Sequence, residues 1–194
     1  MRRKLQHLSL DAQMLDFHQN HFRLFGLPEH FALDLDELSE RYLRLRQTVH
    51  PDLYATAGER EKRLSLQAST LVNEAYQTLK DPLARARYLL TLLTGGQGND
   101  QETTKDMAFL MEQMELREAL AEAREAPDPF AGVAAVRDRL SRQSRHLIAQ
   151  LAVSLEHSSG LDQEASRELI RKLQFVRKCE AEADALEAEL DEAL

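Results

Sequence analysis

Apolar residues recur at intervals of three and four along most of this chain. Leu35, Leu38, Tyr42, Leu45 and Val49 form one such stripe, and the spacing predicts an amphipathic α-helix over residues 34 to 49. Arg41, Arg44 and Arg46 lie off the stripe. The pattern lapses at His50-Pro51-Asp52 and through Tyr54, Ala55, Thr56, Ala57 and Gly58, then resumes in Leu64, Ala68, Leu71, Ala75 and Leu79. The tripeptide therefore falls at the mouth of a helical hairpin. Pro51 cannot continue a helix and biases His50 toward extended backbone, so the turn should display the His and Asp side chains.

Beyond the hairpin, Asp81 can cap a further helix with Pro82 in its first position, carrying Leu83, Ala86, Leu89, Leu90 and Leu93. Thr94-Gly95-Gly96-Gln97-Gly98-Asn99-Asp100 then interrupts the periodicity with three glycines among polar residues, which reads as a linker. Three more helical segments follow, over about 104 to 125, 129 to 157 and 162 to 191. Ala126-Pro127-Asp128-Pro129 separates the first two, and Ser158-Ser159-Gly160 the last two. Long helices with short connections predict an antiparallel three-helix bundle. No strand is expected. The anticipated class is all-α: an extension over 1–19, a helical hairpin module over 20–94, a linker over 95–103 and the bundle over 104–194.

Composition narrows the function. The chain has 194 residues, 43% hydrophobic and 30% charged, with only 7 Gly and 5 Pro, as expected of a soluble helical protein. Its net charge of -8 is uneven: residues 1–95 hold 13 Lys+Arg against 12 Asp+Glu, whereas residues 96–194 hold 12 against 21. An acidic second half argues against a nucleic-acid partner, whose binding rests on Lys and Arg. No apolar run of 18 residues exists, so no membrane span is expected. The single cysteine, Cys179, excludes an internal disulfide and a multi-cysteine metal site, fits a reducing compartment, and reads as a small core residue. His18 and His21 share a helical spacing, but no third ligand accompanies them, and they read as solvated side chains. At the N-terminus, Met1-Arg2-Arg3-Lys4 is followed by Asp11 and Asp16 and by no apolar core, which argues against a transit peptide or a secretory signal. A bacterial cytoplasm is the first expectation and a mitochondrial matrix the second.

The helix after the glycines is apolar on two sides. At about 100° per residue, Phe109, Leu116, Leu120 and Ala123 share one narrow sector. Met107, Met111 and Met114 cluster opposite, continued by Glu118 and Glu122, with Glu115 beside them and Leu110 at the boundary. Such a helix either lies deep in a core or binds something. Methionines suit an adaptable protein-binding surface, and the glutamates would orient a basic partner.

Two stretches resemble known families. The aromatic segment Phe22, Leu24, Phe25 with Gly26-Leu27-Pro28, then His50-Pro51-Asp52, then Asn73-Glu74-Ala75-Tyr76-Gln77-Thr78-Leu79-Lys80-Asp81-Pro82, resembles the J-domain of DnaJ-like co-chaperones. That resemblance implies docking to an Hsp70-type chaperone and stimulation of its ATPase through His50, Pro51 and Asp52, with Arg41 and Arg44 on the basic helix face. The sequence departs from the family pattern at Leu53, where many relatives have lysine, and at Val49, where many have tyrosine. Phe109-Leu110-Met111-Glu112-Gln113-Met114-Glu115-Leu116-Arg117-Glu118, with Arg171-Lys172-Leu173-Gln174-Phe175 in the last helix, is similar to HscB-type co-chaperones of iron-sulfur cluster assembly. The resemblance implies that Leu110, Met111, Met114, Glu115, Glu118, Glu122 and Phe175 bind the scaffold IscU and deliver it to an HscA-like Hsp70, and that no cofactor is needed.

Two other classes remain open at this level. His50 and Asp52 could serve an enzyme as acid and base, but no nucleophile, metal set or phosphate-binding loop accompanies them. Alternatively, the chain is a general J-protein or helical adaptor whose bundle dimerises.

Overall fold

Asn20 begins a single helical turn, α1 (His21–Leu24), by accepting the Arg23 amide hydrogen at 3.0 Å. Gly26 follows in the left-handed region at φ +63°, which lets the chain reverse. Asp34 then accepts from the amides of Asp36 and Glu37 and starts α2 (Leu35–Val49). This helix ends where Pro51 requires, and Pro51–Tyr54 form a 3₁₀ turn. α3 (Glu59–Lys80) opens with the Glu61 carboxylate accepting from the Gly58 amide at 2.7 Å. Asp81 caps α4 (Pro82–Thr94) by accepting from Ala84 at 2.7 Å. Left-handed Gly95 and Gly96 follow α4, with the Gly96 amide donating to the Thr91 carbonyl.

The computed structural model describes residue 17 and residues 19–96, 103–156 and 162–193, which form two compact units divided between Leu89 and Leu90. The division thus falls inside α4, ahead of the glycine-rich stretch. His18, nearly all of the 1–19 extension, residues 97–102 and Ser158-Ser159-Gly160 lie outside the described residues.

In the N-terminal unit, Leu38 and Val49 of α2 and Ala68, Val72, Ala75 and Leu79 of α3 are fully buried. Leu35, first in the predicted stripe, is instead 44% exposed, because Phe22, Leu27 and Phe31 from the segment ahead of α2 complete this core. Arg85 is also buried. Its guanidinium donates to the Leu79 carbonyl at 2.7 Å and lies 4.9 Å from the Phe31 ring, so it closes the end of α3. His21 corrects the reading of a solvated histidine: its ring stacks on Tyr88 at 4.2 Å, and its backbone amide donates to the Tyr88 hydroxyl. Burial holds its pKa below the ordinary value, against a smaller opposing attraction from Glu74.

The C-terminal unit contains α5 (Met107–Arg124), α6 (Pro129–Glu156) and α7 (Gln163–Glu192). Asp106 and Asp162 cap α5 and α7 through the amides of Phe109 and Ala165. Val133, Val136, Leu140, Leu147, Leu151 and Leu155 bury the inner face of α6, and Leu173, Val176, Cys179 and Ala183 that of α7. α5 and α6 run antiparallel and touch where Gly132 meets Ala123: a Cβ at 132 would lie 2.7 Å from that of Ala123. Ion pairs tie both helices to α7: Arg117–Glu182 at 2.8 Å, Lys172–Asp106 at 2.6 Å, Arg124–Glu189, and Arg137–Asp184 at 3.2 Å. No strand occurs among the described residues, and no helix there is long and apolar enough to cross a membrane.

Candidate functional site

The His50-Pro51-Asp52 turn is exposed at its tip and anchored beneath. His50 has extended backbone at φ -62°, ψ 129°, as the following proline demands. Its Nδ1 accepts from the Asp52 amide at 3.3 Å and lies 3.6 Å from the Asp52 carboxylate. The His50 and Asp52 side chains are 46% and 90% exposed. Under the tip, Tyr54 is buried and donates its hydroxyl to the Thr48 carbonyl at 3.3 Å. Ser65, also buried, donates to the carbonyl of Val49, the last residue of α2, at 2.8 Å. Sequence reasoning missed Tyr54 and Ser65 as supports. Ser65 is in phase with Ala68, Val72, Ala75 and Leu79, and a hydroxyl on a core stripe is the signal that could have found it.

Arg41 and Arg44 differ in what they offer a partner. The Arg41 guanidinium donates to the carbonyls of Phe25 at 2.7 Å and Gly26 at 2.6 Å, and pairs with Glu37 at 2.5 Å. It staples the loop after α1 to α2, and a side chain at position 26 would meet it at 2.9 Å. Arg44 is exposed and, among the described residues, paired only with Glu40, one turn earlier, an interaction of about 0.3–0.5 kcal/mol that a stronger partner can replace. On the same helix Tyr42 stacks on Tyr76 at 4.0 Å and donates to Asn73, which fixes α2 against α3.

The second surface is the outer side of α5. Phe109, Leu116, Leu120 and Ala123 are buried, with Leu116 at 1% exposure, while Met107, Met111 and Met114 are 68%, 60% and 61% exposed. Glu115, Glu118 and Glu122 are exposed with them, and Leu110 is half-buried. Phe175, from α7, is half-buried and meets the ring of Phe109 edge-on at 6.3 Å. Three exposed methionines opposite a filled core stripe are an uncovered apolar patch, which a soluble helix leaves bare only at some cost. Gln113 is the residue that periodicity misplaces: it is buried and donates to Gln143 of α6 at 3.0 Å. Among the described residues no group of three His, Cys, Asp or Glu side chains could hold a metal ion.

Known proteins resemble this chain over most of its length. Residues 105–184 match the family model described as the HSCB C-terminal oligomerisation domain. The co-chaperone protein HscB homolog of Vibrio cholerae is 43% identical over 171 residues, which cover 88% of this chain and 98% of that protein. That of Colwellia psychrerythraea is 39% identical over the same coverage. Among solved structures, the chaperone HscB from Vibrio cholerae superposes with a TM-score of 0.79 at 42% identity, covering 89% of this chain and 99% of the other. The human co-chaperone protein HscB superposes with a TM-score of 0.78 at 29% identity, covering 88% and 83%. A chain that matches these relatives over nearly their whole length, and that displays a His-Pro-Asp turn in one unit and a methionine-lined helix in the other, is a member of the HscB co-chaperone family.

Proposed function

We propose that this protein couples an Hsp70-type chaperone to the assembly of iron-sulfur proteins without being an enzyme itself. The His50-Pro51-Asp52 turn, with Arg44 on the preceding helix α2, docks on an HscA-like Hsp70 and stimulates its ATPase. The outer side of α5, through Leu110, Met111, Met114, Glu115, Glu118 and Glu122, together with Phe175, carries the scaffold IscU. The observation that carries this reading is the exposure of Met107, Met111 and Met114 opposite a buried stripe on the same helix. Asp52 suits the first role because its carboxylate is 90% exposed and can accept a bidentate arginine pair. Arg41 is the weaker docking residue, since a partner would have to compete with two backbone carbonyls and Glu37 for its guanidinium. Joining two sites in one chain raises the local concentration of scaffold at the chaperone. The bacterial relatives and the buried lone cysteine support a bacterial cytoplasm, with the mitochondrial matrix as the alternative.

The test is the ATPase rate of an HscA-like chaperone with and without this protein and with and without IscU. Stimulation by each alone and synergy of the two together are expected. No change in any combination overturns the reading.

A further inference from the structure

The sulfur atoms of the C-terminal unit divide between one sheltered thiol and a stripe of open thioethers. Cys179 is fully buried on α7, and burial pushes its pKa up, ahead of a smaller opposing attraction from Arg117. The thiolate is the form of cysteine that oxidants attack, so Cys179 is shielded both by position and by protonation. Met107, Met111 and Met114 are the reverse case. Four and three residues apart on α5, they lie within about 60° of one another around the helix and along about 10 Å of it. All three are mostly exposed, and a thioether has no proton to lose, so access alone sets its reactivity.

We propose that these α5 methionines are an oxidation site at which a hydroperoxide switches the scaffold surface off. The sulfur lone pair attacks one oxygen of a peroxide such as hydrogen peroxide, and the S–O bond forms as the O–O bond breaks. Sulfur gives up two electrons. The departing hydroxide takes the proton left on the transferred oxygen, so the products are methionine sulfoxide and water. Apolar side chains thereby become strong acceptors on one patch. Their neighbours cannot satisfy them beneath a bound partner: Leu110 offers no side-chain donor, ionised Glu115 and Glu118 only accept, and Arg117, the nearest cation along the helix, is engaged with Glu182 of α7. A partner shaped for methionine therefore strips water from the new oxygens without replacing their hydrogen bonds, which weakens the complex. The fold is spared, because Phe109, Leu116 and Leu120 hold α5 in the bundle from its other side. Two electrons from a dithiol restore the thioether and release the oxygen as water, so the change is reversible. The loss of binding rests on the scaffold reading above, whereas the oxidation rests on exposure.

The test treats the full chain with hydrogen peroxide, removes the excess with catalase and then adds untreated IscU. Peptide mass spectrometry should find one added oxygen at each of Met107, Met111 and Met114 and none at Cys179, with circular dichroism unchanged. Titration calorimetry should show IscU bound about tenfold or more weakly, a hot-spot-sized loss. Methionine sulfoxide reductases of both stereospecificities, with dithiothreitol, should restore the affinity. The variant Met107→Leu/Met111→Leu/Met114→Leu conserves volume and has no sulfur there to oxidise, so it should bind IscU alike before and after peroxide. It keeps Met1 and Met14, so its resistance assigns the effect to α5. Undiminished binding by the oxidised chain overturns the proposal, as does oxidation of Cys179 ahead of the methionines, or a leucine variant that loses binding to peroxide. An untreated chain that does not bind IscU overturns the scaffold reading itself, and the switch with it.

Discussion

Replacing Met111 and Met114 together by serine tests whether the outer side of α5 is a binding surface. Full burial of a methionine side chain contributes about 1.5–3 kcal/mol. At 60% and 61% exposure each retains roughly three-fifths of that to gain, so a partner covering both gains about 2–3.5 kcal/mol in all. Ordering two flexible side chains takes back about 0.5–1.5 kcal/mol each. The expected net loss centres near ~1 kcal/mol and reaches about 2.5 kcal/mol at most, a rise in Kd from about fivefold to about seventyfold. Serine leaves a hydroxyl to desolvate in the contact and pushes the loss toward the upper figure. Stability should change by no more than about 0.5 kcal/mol per site, since neither side chain is core. The control is Leu116→Ala at 1% exposure, where a cavity should cost about 2–5 kcal/mol. Calorimetric titration with IscU reads the first effect, and urea unfolding followed by circular dichroism the second. A double variant that binds IscU normally, or that loses as much stability as Leu116→Ala, refutes the assignment.

Asp52→Asn should abolish stimulation of the Hsp70 ATPase and leave stability within about 0.5 kcal/mol, because that side chain is 90% exposed; a folding defect or full stimulation would contradict it. Ser65→Ala leaves the buried carbonyl of Val49 without this donor and should cost about 1–3 kcal/mol in the N-terminal unit, measurable by urea unfolding followed through its tyrosines. Gly132→Ala sets a gain of about 1 kcal/mol in helix propensity against about 1–3 kcal/mol of overpacking on Ala123. A net loss near 1 kcal/mol should result, and a double-mutant cycle with Ala123→Gly should recover part of it; a more stable single variant would show that the helices can part freely. Burial depresses the pKa of His21, so its neutral form is the one the fold prefers. Its contribution is complete above the unfolded value of 6.5 and is lost as pH falls below it, so acidification should destabilise the N-terminal unit, and His21→Gln should flatten that slope in tyrosine-detected unfolding.

Local rules carried most of the fold. Several helices start at an aspartate visible in the chain, Asp34, Asp81, Asp106 and Asp162 among them, and the extended conformation of His50 follows from Pro51 alone. The division of α5 into a buried stripe and an exposed methionine face was likewise legible, because one helix period decides it. What periodicity leaves hidden is contact between residues far apart in sequence. Arg41 looks like one more exposed arginine until its guanidinium is seen on the Phe25 and Gly26 carbonyls, sixteen and fifteen residues earlier. Gln113 is polar by composition and core by position, and only Gln143 thirty residues on explains it. Gly132 looks like a weak point of a helix, yet a Cβ there would lie 2.7 Å from that of Ala123, so the glycine leaves room for α5 against α6.

The anchoring of the His50-Pro51-Asp52 turn bears on the speed of docking. Tyr54 and Ser65 bond the backbone beneath the tip, and the Asp52 amide is held by His50, so the loop needs no reshaping before it meets a partner. Among the described residues no hydrogen bond has to break for the Asp52 carboxylate to reach an arginine. Encounter rather than rearrangement should then limit association, so the on-rate should rise with the opposing charge on the chaperone and fall steeply with added salt, while the dissociation rate changes little. Loosening the supports should reverse that pattern, slowing association in a way that ionic strength no longer tunes.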